Sequence, residues 1–225
     1  MNRSKRVFTP EQLRILDKQE VLSRTKMRKL KTISDMAYKL MIENGINDTT
    51  LNDIADGCDI TRRTIYNYFD TKINLLNYLM IEITKEIDPD FHIDYNYDHS
   101  AIENFERALK INFDAYYRNI DKFKFITQVR MYLSYQKYEN DYKDVSLAMH
   151  DSFVVELVNI IERGLQDKSI KQIDYPTKKV ALMIYQSLYG YLSTITIGKD
   201  IAYEKYIEKC QIYEYMIIRF LKAKK

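Results

Sequence analysis

Residues 51–69 read LNDIADGCDITRRTIYNYF, and hydrogen-bonding side chains crowd the second half of this stretch: Thr61, Arg62, Arg63, Thr64 and Asn67. Arginine can donate two parallel bonds to a guanine edge, and asparagine can pair in the same bidentate way with adenine. The set therefore has the chemistry to read base edges in a major groove. Two alternatives stand beside this reading. Thr61 can instead cap a helix, and Arg62 or Arg63 can touch only phosphate. Tyr66 and Tyr68 offer hydroxyls to a phosphate backbone, and Lys72 sets a cation at the positive start of the following helix, where phosphate is favoured.

These side chains need two short helices to hold them. Leu51, Ile54 and Ala55 mark the first, ending near Cys58. Asp59 stands where a tight turn requires a left-handed residue, a conformation that Asp tolerates better than most. Ile60, Ile65 and Phe69 supply the apolar contacts that lock a second helix, beginning near Thr61, at a steep angle to the first. This is the layout of a helix-turn-helix. Upstream, Leu30, Ile33, Ala37, Leu40 and Met41 recur three and four apart and stop at Asn44-Gly45, so a helix ends there. Downstream, a longer helix runs from Lys72 to Ile87 and is closed by Asp88-Pro89.

The rest of the chain is patterned the same way. Residues 88–99 form a polar and aromatic connector. Ser100 to Glu103 reads as a capping box, opening a helix with its stripe at Ile102, Phe105, Leu109, Phe113, Tyr116 and Ile120. Helical patterns follow at 121–139, 143–166, 176–197 and 202–222. Five glycines and three prolines in 225 residues are too few for a sheet-rich fold. The reading is all-α, divided into an N-terminal extension (1–25), a three-helix head with the helix-turn-helix (26–87) and a larger helical body (88–225). Within the extension, Thr9 to Gln12 reads as a helix start, and Ser4-Lys5-Arg6 has the make-up either of an arm for the minor groove or of a solubilising tail.

Charge is unevenly placed. Ten Lys/Arg against three acids in residues 1–31 give +7, leaving −4 on the remaining chain for a net +3. A basic N-terminus on a mildly acidic protein suits a localised polyanion contact. Cys58 and Cys210 are far apart and show neither disulfide nor metal spacing, as expected in a reducing compartment. The apolar run from Val180 to Ile197 is broken by Gln186, Ser187, Ser193, Thr194 and Thr196, so a buried helix is expected rather than a membrane span. The N-terminus has no apolar leader segment, and a cytoplasmic protein without membrane contact is expected. His92, Asp94, Asp98 and His99 lack the spacing of metal ligands, and His150 is isolated. No nucleophile triad or phosphate loop is present, so neither an enzyme nor a cofactor is expected.

The string from Thr49 to Ala55, then Ile60-Thr61, Thr64 to Phe69, Lys72 and Leu75-Leu76, resembles the DNA-binding domain of TetR-family transcriptional regulators over about residues 26–80. The resemblance implies a homodimeric repressor of double-stranded operator DNA, released by a small-molecule effector whose identity the sequence leaves open. The alternative is a relative that takes no small ligand and acts through protein partners. By position, Thr50, Tyr66, Tyr68 and Lys72 would hold phosphates, while Arg62, Arg63, Thr64 and Asn67 would read bases. Cys58-Asp59 and Arg63 depart from the small residues usual in the family, so no operator can be carried over.

Sixteen of the twenty tyrosines follow residue 90. By resemblance, Phe113, Tyr116, Tyr117, Tyr132, Tyr135, Tyr138, Tyr185 and Tyr189 lie on helices around an effector pocket, and Tyr suits an amphipathic or aromatic ligand. An inward Glu106, Asp114 or Glu156 would favour a cationic one. The competing reading makes the tyrosines core residues. The resemblance also places the dimer on the last two helices, with stripes at Val180, Ile184, Leu188, Tyr191 and Ile195 and at Tyr203, Ile207, Cys210, Tyr213, Ile217 and Phe220. Gly190 would permit close approach.

Overall fold

Helix starts and stops signalled by single residues carry through into the three-dimensional structure, a computed structural model. It describes residues 24–91, 95–135, 141–197 and 200–223, with the backbone alone over 141–152. The expected helix near residues 10–22, the Ser4-Lys5-Arg6 arm, His92, Asp94, Tyr138 and Gly198 lie outside the described residues, as does the side chain of His150.

All regular elements among the described residues are helical: α1 (Arg24–Asn44), α2 (Leu51–Gly57), α3 (Arg62–Tyr66), α4 (Lys72–Ile87), a 3-10 turn (Asp88–Phe91), α5 (Ala101–Arg118), α6 (Ile120–Tyr135), α7 (Asp141–Gln166), α8 (Thr177–Thr196) and α9 (Tyr203–Leu221). Helix α1 stops at Gly45, whose φ of 91° is open to glycine at no steric cost. Helix α5 opens on the capping box read from the sequence, with Glu103 accepting from the Ser100 backbone at 2.8 Å. No described helix is long and apolar enough to cross a membrane.

The chain divides into two compact units. One comprises the described residues up to Thr84 together with Phe125–Ala148, the other Lys85–Lys124 with Met149–Lys225. The sequence reading gives all of 88–225 to the body, whereas by packing Phe125–Ala148 groups with the head. The reason is apolar: Phe125, Val129 and Leu133 on α6 are buried, and Phe125 meets the ring of Tyr38 on α1 edge-on at 4.8 Å. Helix α6 thus begins in one unit and ends in the other.

In the first unit, Ile33, Ala37 and Met41 of α1, Ile54 and Ala55 of α2, Ile65 of α3 and Leu75, Leu76 and Met80 of α4 are all withdrawn from solvent. In the second, buried residues include Phe105, Leu109 and Phe113 of α5, Leu157, Ile160 and Ile161 of α7, Ile184, Leu188 and Leu192 of α8, and Tyr206, Cys210 and Tyr213 of α9. The end of α9 is fastened by a short antiparallel bridge: Lys171 N–H donates to Leu221 O at 2.9 Å and Ala223 N–H to Ser169 O at 3.1 Å. Ile170 lies so close over Gly164 that a Cβ there would fall 2.4 Å from its side chain.

The stripes assigned to the last two helices need correction. Val180, Ile184, Leu188, Cys210 and Tyr213 bury within the chain itself, because helical periodicity marks the face turned toward a helix's own core first. The large apolar residues left exposed on these helices are Leu182, Met183, Tyr203, Ile212, Tyr215, Met216 and Phe220, of which Tyr203 and Phe220 belong to the expected stripe. Gly190 is exposed as well, with open space where a side chain would stand.

Candidate nucleic-acid interface

The helix-turn-helix is built from the caps outward. Thr50 is the N-cap of α2: its hydroxyl accepts from Asp53 N–H at 3.2 Å, and the Asp53 carboxylate accepts from Thr50 N–H at 2.7 Å. The Thr50 hydroxyl also donates to the Asp53 carboxylate at 2.7 Å, and this bond together with that from Thr50 N–H holds the Asp53 carboxyl below the usual range. Thr49, just before it, is buried and donates to Gly45 O at 2.8 Å, tying the turn after α1 to the start of α2.

The turn between α2 and α3 closes through the backbone. Cys58 N–H donates to Ile54 O, Asp59 N–H to Asp56 O and Ile60 N–H to Ala55 O, at 3.0 to 3.1 Å. Asp59 has a φ of 51°, in the left-handed conformation expected from the sequence. A left-handed residue with a bond reaching back five positions is the usual helix stop. Half-buried Cys58 contacts Thr32 O through sulfur at 3.7 Å, and burial pushes its thiol pKa up.

Helix α3 is only five residues long. Ile65 is fully buried, and the Thr61 hydroxyl accepts from Thr64 N–H at 3.1 Å. The Thr61 and Thr64 hydroxyls also bond to each other at 2.8 Å. Of the two roles open to Thr61, capping is thus the one seen. Thr64, half-buried, is occupied in the same contact. Arg62, Arg63, Tyr66 and the C-cap Asn67 are exposed; at about 100° per residue Arg63 and Asn67 lie opposite Ile65, with Tyr66 on the adjoining flank and Arg62 nearest to the Ile65 side. The structure therefore gathers Tyr66 with the candidate base readers. The sequence reading separated it from them because it weighed residue type before position on the helix.

Lys72, expected at a phosphate, is half-buried. Its ammonium donates to the carbonyls of Ile46 and Asn47 and lies 5.0 Å from the centroid of the Tyr132 ring. Burial lowers its pKa, partly offset by the charges of Asp48 and Asp53. Tyr132, expected at an effector pocket, thus sits in the first unit against a head residue. Tyr135, in the same unit, is 78% exposed. Tyr68 is half-buried.

The remaining pocket residues fall in the second unit, where a set of rings meets. Tyr116 stacks on Phe123 at 4.4 Å, Tyr185 and Tyr189 lie 4.7 Å apart, and Phe153 contacts both of the latter. The Tyr189 hydroxyl donates to Asn112 at 3.3 Å, and its pKa is raised well above the ordinary value by burial. Phe113 is buried, its carbonyl accepting from Tyr206, and the Tyr117 hydroxyl donates to Ile201 O. Asp114 accepts from Tyr203 at 2.6 Å. The sequence reading did not single out Phe123 or Phe153, although Phe123 lies one turn beyond the α5 stripe. Among the described residues no cluster of His, Cys, Asp or Glu could hold a metal ion.

Comparison with known proteins agrees with this geometry. Residues 33–79 match the family model described as bacterial regulatory proteins, tetR family. The Escherichia coli (strain K12) protein named "Probable acrEF/envCD operon repressor" is 39% identical over 62 residues, 26% of this chain and 28% of its own length. The chain thus spans little more than a quarter of that relative. Solved structures share the fold at greater length. A tetR-family regulatory protein from Rhodococcus RHA1 aligns over 91% of this chain and all of its own, with a TM-score of 0.65 at 15% identity. The ketosteroid transcriptional regulator KstR2 of Mycobacterium tuberculosis aligns over 87% of this chain and 96% of its own, at 0.60 and 15%. The flavonoid-responsive regulator FrrA covers 88% and 99%, at 0.59 and 16%. The head segment 33–79 thus matches the tetR-family model, and the described chain shares the fold of these regulators.

Proposed function

We propose that the protein is a transcriptional repressor that binds operator DNA as a homodimer and is released by a small-molecule effector. The observation that carries the reading is the exposure of the long donors at α3: Arg62, Arg63, Tyr66 and Asn67 are exposed on or just after a helix held by buried Ile65 and a capped start, and no described ion pair engages either arginine. Residues 26–87 are the DNA-binding head and residues 88–225 the regulatory and dimerising part, of which Phe125–Ala148 packs with the head. No catalytic step belongs to this reading.

Two features support the dimer and the effector. Leu182 and Met183 on α8 and Ile212, Tyr215 and Met216 on α9 leave apolar area in water, as a two-fold helical interface would require. The ring cluster of Tyr116, Phe123, Phe153, Tyr185 and Tyr189 suits a ring-bearing effector, the kind named for the ketosteroid and flavonoid regulators of like fold. Binding there shifts the population between two spacings of the paired recognition helices, with α4 as one link from body to head.

An electrophoretic shift with DNA from upstream of the protein's own gene, over a salt series, tests the core of this. The expected result is a sequence-specific shift that weakens steeply with salt and is lost in Arg62→Ala/Arg63→Ala. A folded dimer that shifts no upstream fragment, or a double variant that shifts as well as the parent, would overturn it in favour of a partner-binding scaffold.

A further inference from the structure

We propose that Tyr132 is a positioning residue for Lys72: its ring holds the ammonium away from DNA and so sets how many phosphates each head engages. The inference rests on the DNA-binding reading above. An ammonium has three N–H donors. Two point to the carbonyls of Ile46 and Asn47, and the ring of Tyr132 covers a third side at 5.0 Å. The shell is full, so a phosphate oxygen can reach Lys72 only by replacing one of these partners.

The bond to Ile46 O is the harder to replace: it helps close the turn between α1 and α2, the turn that Thr49 also fastens through Gly45 O, and breaking it would leave a part-buried acceptor unpaired, whereas Asn47 is exposed. The ring is the partner whose side a phosphate would need, because giving up a cation–π contact leaves no backbone acceptor unpaired. Phosphate and Tyr132 therefore compete for one face of Lys72.

Tyr132→Leu removes the ring and Tyr132→Phe keeps it, which separates this role from general packing. Without DNA, the Lys72 ε-methylene protons of the parent and of Tyr132→Phe should be shifted upfield by the ring in proton NMR, and should return to the ordinary lysine position in Tyr132→Leu. With operator DNA, Tyr132→Leu should bind about two- to fivefold more tightly at low salt, the factor equivalent to one exposed cation–π contact. Its plot of log affinity against log salt should steepen by about 0.9 for each phosphate gained. In a Lys72→Gln background the Tyr132→Leu change should have no effect on either quantity. Ordinary Lys72 shifts in the parent, an unchanged slope in Tyr132→Leu, or an undiminished effect in Lys72→Gln would each overturn the proposal. A parent that shows the ring shift yet binds no DNA at any salt overturns the DNA-binding reading, and the phosphate step here with it.

Discussion

The head and the body use polar side chains in opposite ways. On α3 the long donors point outward: Arg62, Arg63 and Asn67 are exposed, and only the small hydroxyls of Thr61 and Thr64 turn to the fold itself. In the body three tyrosine hydroxyls turn inward to backbone carbonyls. Tyr206 donates to Phe113 O at 2.9 Å, Tyr213 to Ile184 O at 3.2 Å and Tyr117 to Ile201 O at 2.9 Å. A buried tyrosine with a satisfied hydroxyl contributes area and a specific contact together. An exposed arginine without an internal partner contributes nothing to the fold that another residue could not. The contrast separates side chains that build the molecule from those left free for something outside it.

The contrast can be broken at its strongest point first. Tyr206 is fully buried, and Tyr206→Ala should cost about 3–5 kcal/mol of stability, read as a lower urea midpoint. A midpoint shift as small as that of an average surface change would remove the body half of the comparison. Arg62→Ala should do the reverse. Its urea midpoint should stay within about 0.5 kcal/mol of the parent, while operator affinity falls by about 1–3 kcal/mol with relaxed preference at one base pair. A uniform loss over all sequences would instead assign Arg62 to phosphate.

Thr50 sharpens the comparison because it belongs to both classes, as the cap of α2 and as an expected phosphate contact. Thr50→Ala should cost about 1 kcal/mol through the cap alone. Thr50→Asp, which keeps a capping oxygen, should restore stability but not DNA affinity if the phosphate role holds. The smallest effect is one of pH. The native pKa of Asp53 is depressed by its bonds from Thr50, so folding favours the ionised form. That contribution is complete above the ordinary aspartate range, about pH 4, and is lost as pH falls through the depressed native value. Head stability followed from pH 6 down to pH 2 should therefore lose an increment in the parent that is absent in Asp53→Asn.

Much of the head was legible from residue types because its signals are local. A cap, a left-handed Asp59 and a buried Ile65 act within a few positions of chain, and the span from Lys72 to Ile87 is the observed α4. What was not legible depends on contacts between distant segments. Nothing near Tyr132 in the chain announces Lys72, sixty residues earlier, and Phe125 gives no sign that its partner is Tyr38. Val180, Ile184, Leu188, Cys210 and Tyr213 of the expected stripes on α8 and α9 are core residues for a related reason. Periodicity locates an apolar face without saying whether the chain's own core or a second surface will cover it.

Helix α3 has a consequence for how such a protein changes over time. Its hold on the fold runs through Ile65, the Thr61 cap and a turn closed by backbone bonds around Asp59. Arg62, Arg63, Tyr66 and Asn67 are absent from that set. The four positions can therefore be exchanged in many combinations with little loss of folding, and natural drift or a deliberate library can explore new operator sequences there while the scaffold stays constant. A helix held this way can change what it contacts faster than it changes its own fold.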